Sequence, residues 1–300
     1  MSTRVVFAGS PAVASPYLRA LYDTGFDIRA VITREDSRQG RKGVLTPTPI
    51  ATVAEELGLP VIKTNSLRDV DIPEVDIAVV VAYGGLVPPR LLDMPTHGWV
   101  NVHFSVLPKY RGAAPVQRAM WNGEPATGIS IFRLVDELDA GPVYYTRSID
   151  FEEDETASDA LTRLATDTTT DLIGTLRLIT RDAITANEQM GEPSYAPKLT
   201  REDGRIDWSL DAATVIQRIR AATREPGAHT TCNGESIAVL RVASELGPPF
   251  PRGEVFVNEG HVFTGTVDAS VELLDVKPAG KTEMSAMAWA RGQRDRLVFE

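Results

Sequence analysis

The run Asp76-Ile-Ala-Val-Val-Val-Ala82 admits few folds. Apolar and polar residues do not alternate in it, so a strand formed there needs apolar cover on both faces. A parallel sheet flanked by helices gives that cover. The preceding residues fit such a sheet. Arg4–Ala8 is a short β-branched run, ended by Gly9-Ser10-Pro11. Val13, Tyr17, Leu18, Leu21 and Tyr22 then recur at helical spacing, and Gly25 closes that helix. Phe26–Thr33 reads as a second strand, Ile50–Leu57 as a helix, Pro60–Lys63 as a short strand and Gly98–His103 as the strand after the central run. The expected class is α/β, with a doubly wound, mostly parallel sheet. Ser10-Pro11 suits a helix N-cap followed by proline at the first helical position.

Further along, Ala113–Trp121 reads as a helix with Val116, Ala119 and Met120 inward, stopped by Asn122-Gly123. Thr127–Leu134 and Val143–Ile149 read as a hairpin at a sheet edge, joined by the acidic turn Val135–Pro142. Thr156–Ile179 reads as one long amphipathic helix with Leu161, Leu164, Leu172, Ile173 and Leu176 in its stripe. Beyond Thr180 the texture changes. Ala183–Arg205 lacks periodicity and holds Gly191, Pro193, Pro197 and Gly204, as a linker does. A helix over Asp211–Ala222 precedes five short runs: Ala228–Cys232, Ser236–Val242, Gly253–Val257, His261–Thr264 and Ser270–Val276. With a short helix at Met284–Ala290, they suggest a small barrel. The expected domains are 1–182, a linker at 183–205, and 206–300.

The formal net charge of -10 excludes a broadly basic nucleic-acid coat. One segment runs against that balance. Arg34–Pro49 is a polar loop longer than most connections, and Arg34, Arg38, Arg41 and Lys42 make it locally basic. On charge alone a solvated loop is equally compatible. The one cysteine, Cys232, excludes an intrachain disulfide. His97, His103, His229 and His261 stand at no ligand-like spacing, so no metal is expected. With no signal-like segment and no apolar span of about 20 residues, a cytoplasmic chain without a membrane partner is expected.

The residues with chemistry in them are Asn101, His103 and Asp139. Asn101 and His103 are two apart at the end of a strand, so the pleat points both to one face. In open α/β sheets, ligands bind at the strands' carboxyl ends. An amide donor, an imidazole and a carboxylate suit acyl transfer through a tetrahedral intermediate. G-x-S-x-G is absent, which favours direct attack by an amine over an acyl-enzyme. Spacing alone is also compatible with a structural histidine.

Four motifs taken together decide further: Asn101-Val-His103, Ser105-Val-Leu-Pro108, Tyr110-Arg-Gly112 and Asp136-Glu-Leu-Asp139-Ala-Gly141-Pro142. They resemble the formyltransferase family that uses 10-formyltetrahydrofolate, whose catalytic asparagine, histidine and aspartate correspond to Asn101, His103 and Asp139. The family's Ser-Leu-Leu-Pro signature becomes Ser105-Val106-Leu107-Pro108. Phe104 departs from the small residue or proline common there, a change expected at the pocket wall. Phe7–Pro11, Arg111–Gln117, Tyr195–Leu199, Arg205–Trp208 and Pro226–Ala228 carry the resemblance along the chain, most weakly from about Glu245.

The resemblance implies a Rossmann-like formyltransferase domain followed by a small C-terminal, OB-like β-barrel that binds tRNA. It implies 10-formyltetrahydrofolate as formyl donor, held by Leu86, Val87, Pro88, Ser105, Val106, Leu107 and Pro108. It implies the acceptor end of initiator Met-tRNA as partner, met by Arg34, Arg38, Arg41 and Lys42, with Arg218, Arg220, Arg224 and Arg241 as further candidates for phosphate contact. Asn101 and a protonated His103 would stabilise the oxyanion, while Asp139 holds His103 and helps remove the amine proton. The alternatives are sugar-nucleotide and glycinamide ribonucleotide formyltransferases; the basic loop and the Tyr195–Trp208 region favour tRNA. A monomer is expected.

Overall fold

The structure is a computed structural model and describes residues 2–40, 43–293 and 296–300. In chain order the elements are β1 (Arg4–Gly9), α1 (Ser15–Asp23), β2 (Asp27–Thr33), β3 (Ser37–Gln39), β4 (Val44–Thr46), α2 (Pro49–Glu56), β5 (Val61–Lys63), β6 (Ile77–Val81), α3 (Pro89–Leu92) and β7 (Trp99–His103). Then come α4 (Pro115–Trp121), β8 (Ala126–Arg133), β9 (Val143–Asp150), α5 (Ala157–Asp167) and α6 (Thr169–Ile179). The remainder holds α7 (Ala212–Ala222), β10 (His229–Cys232), β11 (Glu235–Gly247), β12 (Val255–Asn258), β13 (His261–Gly265), β14 (Ser270–Pro278), β15 (Met284–Ser285) and α8 (Ala286–Arg291).

The chain divides into two compact units. One is Met1–Pro115, Gly128–Ile149 and Leu161–Ala196; the other is Val116–Thr127, Asp150–Ala160 and Pro197–Glu300. The main sheet of the first unit runs β5-β2-β1-β6-β7-β8-β9. The pairs β2–β5, β1–β2, β1–β6 and β6–β7 are parallel, and β7–β8 is antiparallel. Every residue of β6 is buried, as its unbroken apolar run requires. This is the expected mostly parallel, Rossmann-like sheet. Trp99 of β7 is fully buried, and its indole N–H donates to the Leu91 carbonyl at 2.6 Å. That bond fixes the strand carrying Asn101 and His103 against α3.

Local signals end several helices where the chemistry requires. Gly25 (φ +81°) follows α1, and the Gly25 and Phe26 N–H groups donate to the Tyr22 and Leu21 carbonyls, both at 3.1 Å. These are the two bonds of a Schellman motif. Thr48 caps α2 by accepting from the Ala51 N–H at 3.1 Å. Asp211 caps α7 by accepting from the Thr214 N–H at 2.9 Å.

Three expectations are corrected. Ser10 is not a helix cap: a 3-10 turn (Ala12–Ala14) precedes α1, and Pro11 stands before it. The Ser10 hydroxyl instead donates to the Tyr83 carbonyl at 3.1 Å and accepts from the Arg34 N–H at 3.2 Å. Thr156–Ile179 is two helices, not one. Thr168 at the break has left helical geometry (φ -110°, ψ 9°). Its hydroxyl donates to the Leu164 carbonyl at 2.7 Å and pairs with the buried Tyr17 hydroxyl at 2.6 Å. A buried hydroxyl bonded back to the preceding turn competes with the helix ladder. The long loop is not structureless either: β3 and β4 form a two-stranded antiparallel ladder within it.

The second unit contains a sheet ordered β10-β11-β14-β13-β12, with β15 against β14. Its edge strands do not pair with each other. The last residues tie them instead: Cys232 and Glu254 bridge to Phe299 and Val298, and the Glu300 N–H donates to the Thr231 carbonyl at 3.0 Å. The expected barrel is therefore a curled half-barrel, closed by the chain's own end. β11 runs well past the expected Val242, with register shifts that let it bend. Val239, Val271, Leu273, Val276, Trp289 and Phe299 are among its buried core. Among the described residues, no helix is long and apolar enough to cross a membrane.

Candidate active site

β7 ends on His103, and Asn101 stands two residues earlier on the same face, opposite Val80 of β6. Both lie at the carboxyl edge of the parallel strands. His103 is buried, 5% exposed, with its ring edge-on to Phe132 of β8. Its Nε2 lies 2.8 Å from the Tyr110 carbonyl. A carbonyl only accepts, so Nε2 carries the proton and donates. That leaves Nδ1 as the exchanging nitrogen. Nδ1 faces Asp139, whose Oδ2 is 3.7 Å away. Burial pushes the imidazole below its ordinary value; the Asp139 carboxylate and the Tyr110 carbonyl pull the other way. The free site thus favours a neutral ring with a carboxylate positioned to stabilise the charged form.

Asp139 lies in the turn between β8 and β9, 9% exposed, in the left-handed region at φ +47°. Its Oδ2 accepts the Gly112 N–H at 2.7 Å. Gly112 itself has φ +119°, and a Cβ there would meet the Ala196 carbonyl oxygen at 3.0 Å. The close approach of three backbone segments is thus built on a glycine. Asn101 is half-buried, and among the described residues its carboxamide has no side-chain partner. Its donor is available to a ligand.

The segment expected to be a linker forms one wall of this arrangement. Ser194 accepts the Arg111 N–H on its carbonyl at 2.8 Å and the Tyr110 N–H on its hydroxyl at 2.9 Å. The Ala196 N–H donates to the Arg111 carbonyl at 2.7 Å, and Arg111 and Tyr195 form a parallel bridge. Gln189 comes from the same segment. Its Nε2 donates to the Asp139 and Gly141 carbonyls at 2.8 and 2.9 Å. Its Oε1 accepts from Arg111 Nε and Nη2 at 3.2 and 2.8 Å. Nothing in the aperiodic sequence around Gln189 marks it. Tyr110 and Gly112 stand in a motif quoted above, but their backbone roles are visible only in three dimensions.

The other expected site residues separate by accessibility. The Ser105 hydroxyl is buried and donates to the Lys109 carbonyl at 2.6 Å; Ser130 donates to the Ser105 carbonyl at 2.7 Å. Leu107 and Pro108 are also buried. Val106 remains 38% exposed and Leu86 85% exposed, with Val87 and Pro88 half-buried. Val106 and Leu86 lie in the loops that follow β7 and β6, two adjacent strands. Each is an exposed apolar side chain in a loop at the sheet's carboxyl edge. Phe104, expected at the pocket wall, is buried with its ring 6.4 Å from Tyr17 of α1, so that departure falls in the core.

The basic residues also separate. Arg34 bonds to the Gly84 carbonyl, donates to the Asn65 carbonyl at 3.0 Å and lies over the Tyr83 ring at 5.7 Å. It clamps the loops that leave the sheet. Arg38 is exposed on the hairpin and donates to the Gly43 carbonyl at 3.1 Å. Arg41 and Lys42 lie outside the described residues. In the second unit, Arg220 donates to the Glu155 and Glu152 carbonyls at 2.6 and 2.9 Å, a structural commitment. Arg218 lies over Trp121 at 4.9 Å, whereas Arg224 and Arg241 are exposed.

Comparison with known proteins covers nearly the whole chain. The family model described as formyl transferase matches residues 3–176, and the one described as formyl transferase, C-terminal domain, matches residues 198–294. The methionyl-tRNA formyltransferase of Renibacterium salmoninarum is 46% identical over 309 residues, covering 99% of each chain. That of Paenarthrobacter aurescens is 46% identical over 308 residues, covering 99% of this chain and 100% of the relative. Among solved structures, the methionyl-tRNA formyltransferase from Clostridium thermocellum has a TM-score of 0.57 at 15% identity, covering 91% of this chain and 99% of that one. HypX from Aquifex aeolicus, in complex with tetrahydrofolic acid, has a TM-score of 0.66 at 16% identity, over 100% of this chain and 51% of that one. Identities that low speak to the fold alone. The two family models and the nearly full-length relatives decide the rest: the chain belongs to the formyl transferase family, among the methionyl-tRNA formyltransferases.

Proposed function

We propose that this protein transfers the formyl group of 10-formyltetrahydrofolate to the α-amino group of the methionine carried by initiator tRNA. The observation that carries the reading is the buried His103–Asp139 pair at 3.7 Å beside the free Asn101 carboxamide. The folate supplies an activated formyl carbon, and its heterocycle lies on the apolar surface of Leu86 and Val106, backed by Val87, Leu107 and Pro108. Ser105 holds the turn beneath it.

The chain's own residues do the following. Asn101 donates to the formyl oxygen as the amine attacks and negative charge develops there. His103 enters neutral, with Nε2–H anchored on Tyr110, and takes the amine's proton on Nδ1. Asp139 stabilises the resulting imidazolium, which joins Asn101 in facing the oxyanion. As the bond from the formyl carbon to N10 breaks, that proton passes to N10. The net change is a formyl group moved one way and a proton the other. A protonated ring thus arises during the transfer, since burial opposes it beforehand.

The hairpin β3–β4 carries Arg38 toward solvent, which supports the Arg34–Pro49 segment as the part that meets the acceptor end. In this reading Arg38, Arg41 and Lys42 contact RNA, and Arg34 positions the base of the loop. Residues 1–182 form the catalytic domain, 183–205 the connection and 206–300 a tRNA-binding barrel. The protein works in the cytoplasm as a monomer. The test is a formyl-transfer assay with initiator Met-tRNA, elongator Met-tRNA, amino-sugar nucleotides and glycinamide ribonucleotide in parallel. Turnover of a sugar or glycinamide substrate without turnover of Met-tRNA overturns the reading.

A further inference from the structure

We propose that Gln189 is a positioning residue that sets the Asp139 turn, and through it the carboxylate facing His103. The inference rests on the formyl-transfer reading of the site but concerns a residue outside the trio. Asp139 occupies left-handed backbone at φ +47°, a region few residues with a side chain adopt and aspartate enters more readily than most. The Gly112 N–H fixes one carboxylate oxygen. The turn's own backbone is fixed by Gln189, whose two N–H donors are spent on the carbonyls of Asp139 and Gly141.

The amide cannot be reversed. Its oxygen faces Arg111 Nε and Nη2, and a guanidinium only donates. Arg111 is buried and is itself held by Glu137 through Nη1 at 3.2 Å. Both donors and both lone pairs of the carboxamide are therefore satisfied, so it sits in one orientation. Gly141 allows no slack: a Cβ there would lie 1.8 Å from the Arg133 carbonyl oxygen. The chain Glu137–Arg111–Gln189 thus returns to the same turn from which it starts, closing a ring around Asp139.

Gln189→Glu tests this. It keeps the length and the Arg111 partner but removes both donors and sets a carboxylate against two carbonyls. We expect kcat for formyl transfer to fall at least tenfold and KM for either substrate to stay within about threefold. In an Asp139→Asn background, Gln189→Glu should have no further effect on kcat, because residues acting through one group are not additive. Full additivity, or a kcat within twofold of wild type, overturns the proposal.

If Gln189→Glu is too unstable to assay, Gln189→Met supplies the second test by NMR titration of His103, assigned against His103→Gln. Asp139 is the carboxylate nearest the ring, with the Arg111–Glu137 pair beyond it. Losing its close approach should lower the His103 midpoint, and an unmoved midpoint overturns the proposal. This readout needs no substrate. Failure of the functional reading would appear separately, as no transfer by the wild-type protein.

Discussion

Two loops of the first unit, one after β2 and one between β8 and β9, are built in opposite ways. In the turn between β8 and β9, Asp139 and Gly141 are buried, and the turn is held by the side chains of Arg111 and Gln189 from two other segments. The hairpin from Ser37 to Thr46 is exposed along both strands, including Val44 and Leu45 at 60% and 63% exposure. Among the described residues, its bonds to the rest of the fold lie at the base: the Thr33–Thr48 hydroxyl pair at 2.6 Å, Arg34, and the Lys63–Asp36 ion pair at 2.8 Å. Under the proposed function, the contrast matches two physical tasks. Stabilising an oxyanion needs donors and charges fixed before reaction, because reorganising them during it cancels the gain. Meeting an RNA end needs reach and adaptable surface, and phosphate contact tolerates variation in geometry.

The largest effect should come from breaking the fixed side. Asn101→Ala, His103→Ala and Asp139→Ala should each lower kcat by about a hundredfold or more, measured by single-turnover transfer on protein shown to be folded. Gly141→Ala comes next. The added methyl cannot be accommodated beside the Arg133 carbonyl, so the turn must shift, at a cost of about 1 to 3 kcal/mol in chemical denaturation and with loss of activity. Wild-type stability in this variant would show that the turn is less constrained than its bonds imply.

On the adaptable side, Arg38→Ala should raise KM for tRNA and leave kcat nearly unchanged. Its slope of log binding constant against log salt should be shallower than wild type by about 0.7 to 0.9. A changed kcat with an unchanged salt slope would assign Arg38 to the fixed side.

The smallest effect concerns protons. His103 is held below its ordinary value, so the folded state binds fewer protons there than the unfolded state. Stability from this group should therefore rise with pH up to about 6.5, the unfolded value, and be lost as pH falls through the lower folded value. His103→Asn should flatten that part of the profile, as followed by denaturant midpoints across pH.

Much of the first unit was legible in the residues. The unbroken apolar run at Asp76–Ala82 and Gly25 at a helix end act through neighbours in sequence. Asn101 and His103 could be paired because a strand's pleat depends on local geometry alone. The helix break at Thr168 was hidden, since a threonine inside an amphipathic pattern bends the chain only if a partner such as the Tyr17 hydroxyl meets it. Ser10 looked like a cap for the same kind of reason: its true partners, Tyr83 and Arg34, are far along the chain.

What the sequence by itself determined is the sheet, the strand-end pair and, through four motifs, the family. What only the tertiary structure decided is how the trio is held: the imidazole tied to Tyr110, Asp139 set by Gly112 and Gln189, and Arg34 spent as a clamp. Local periodicity records which face of an element is buried. It does not record which distant amide or carbonyl satisfies a buried polar atom, because that partner is fixed only when the segments meet.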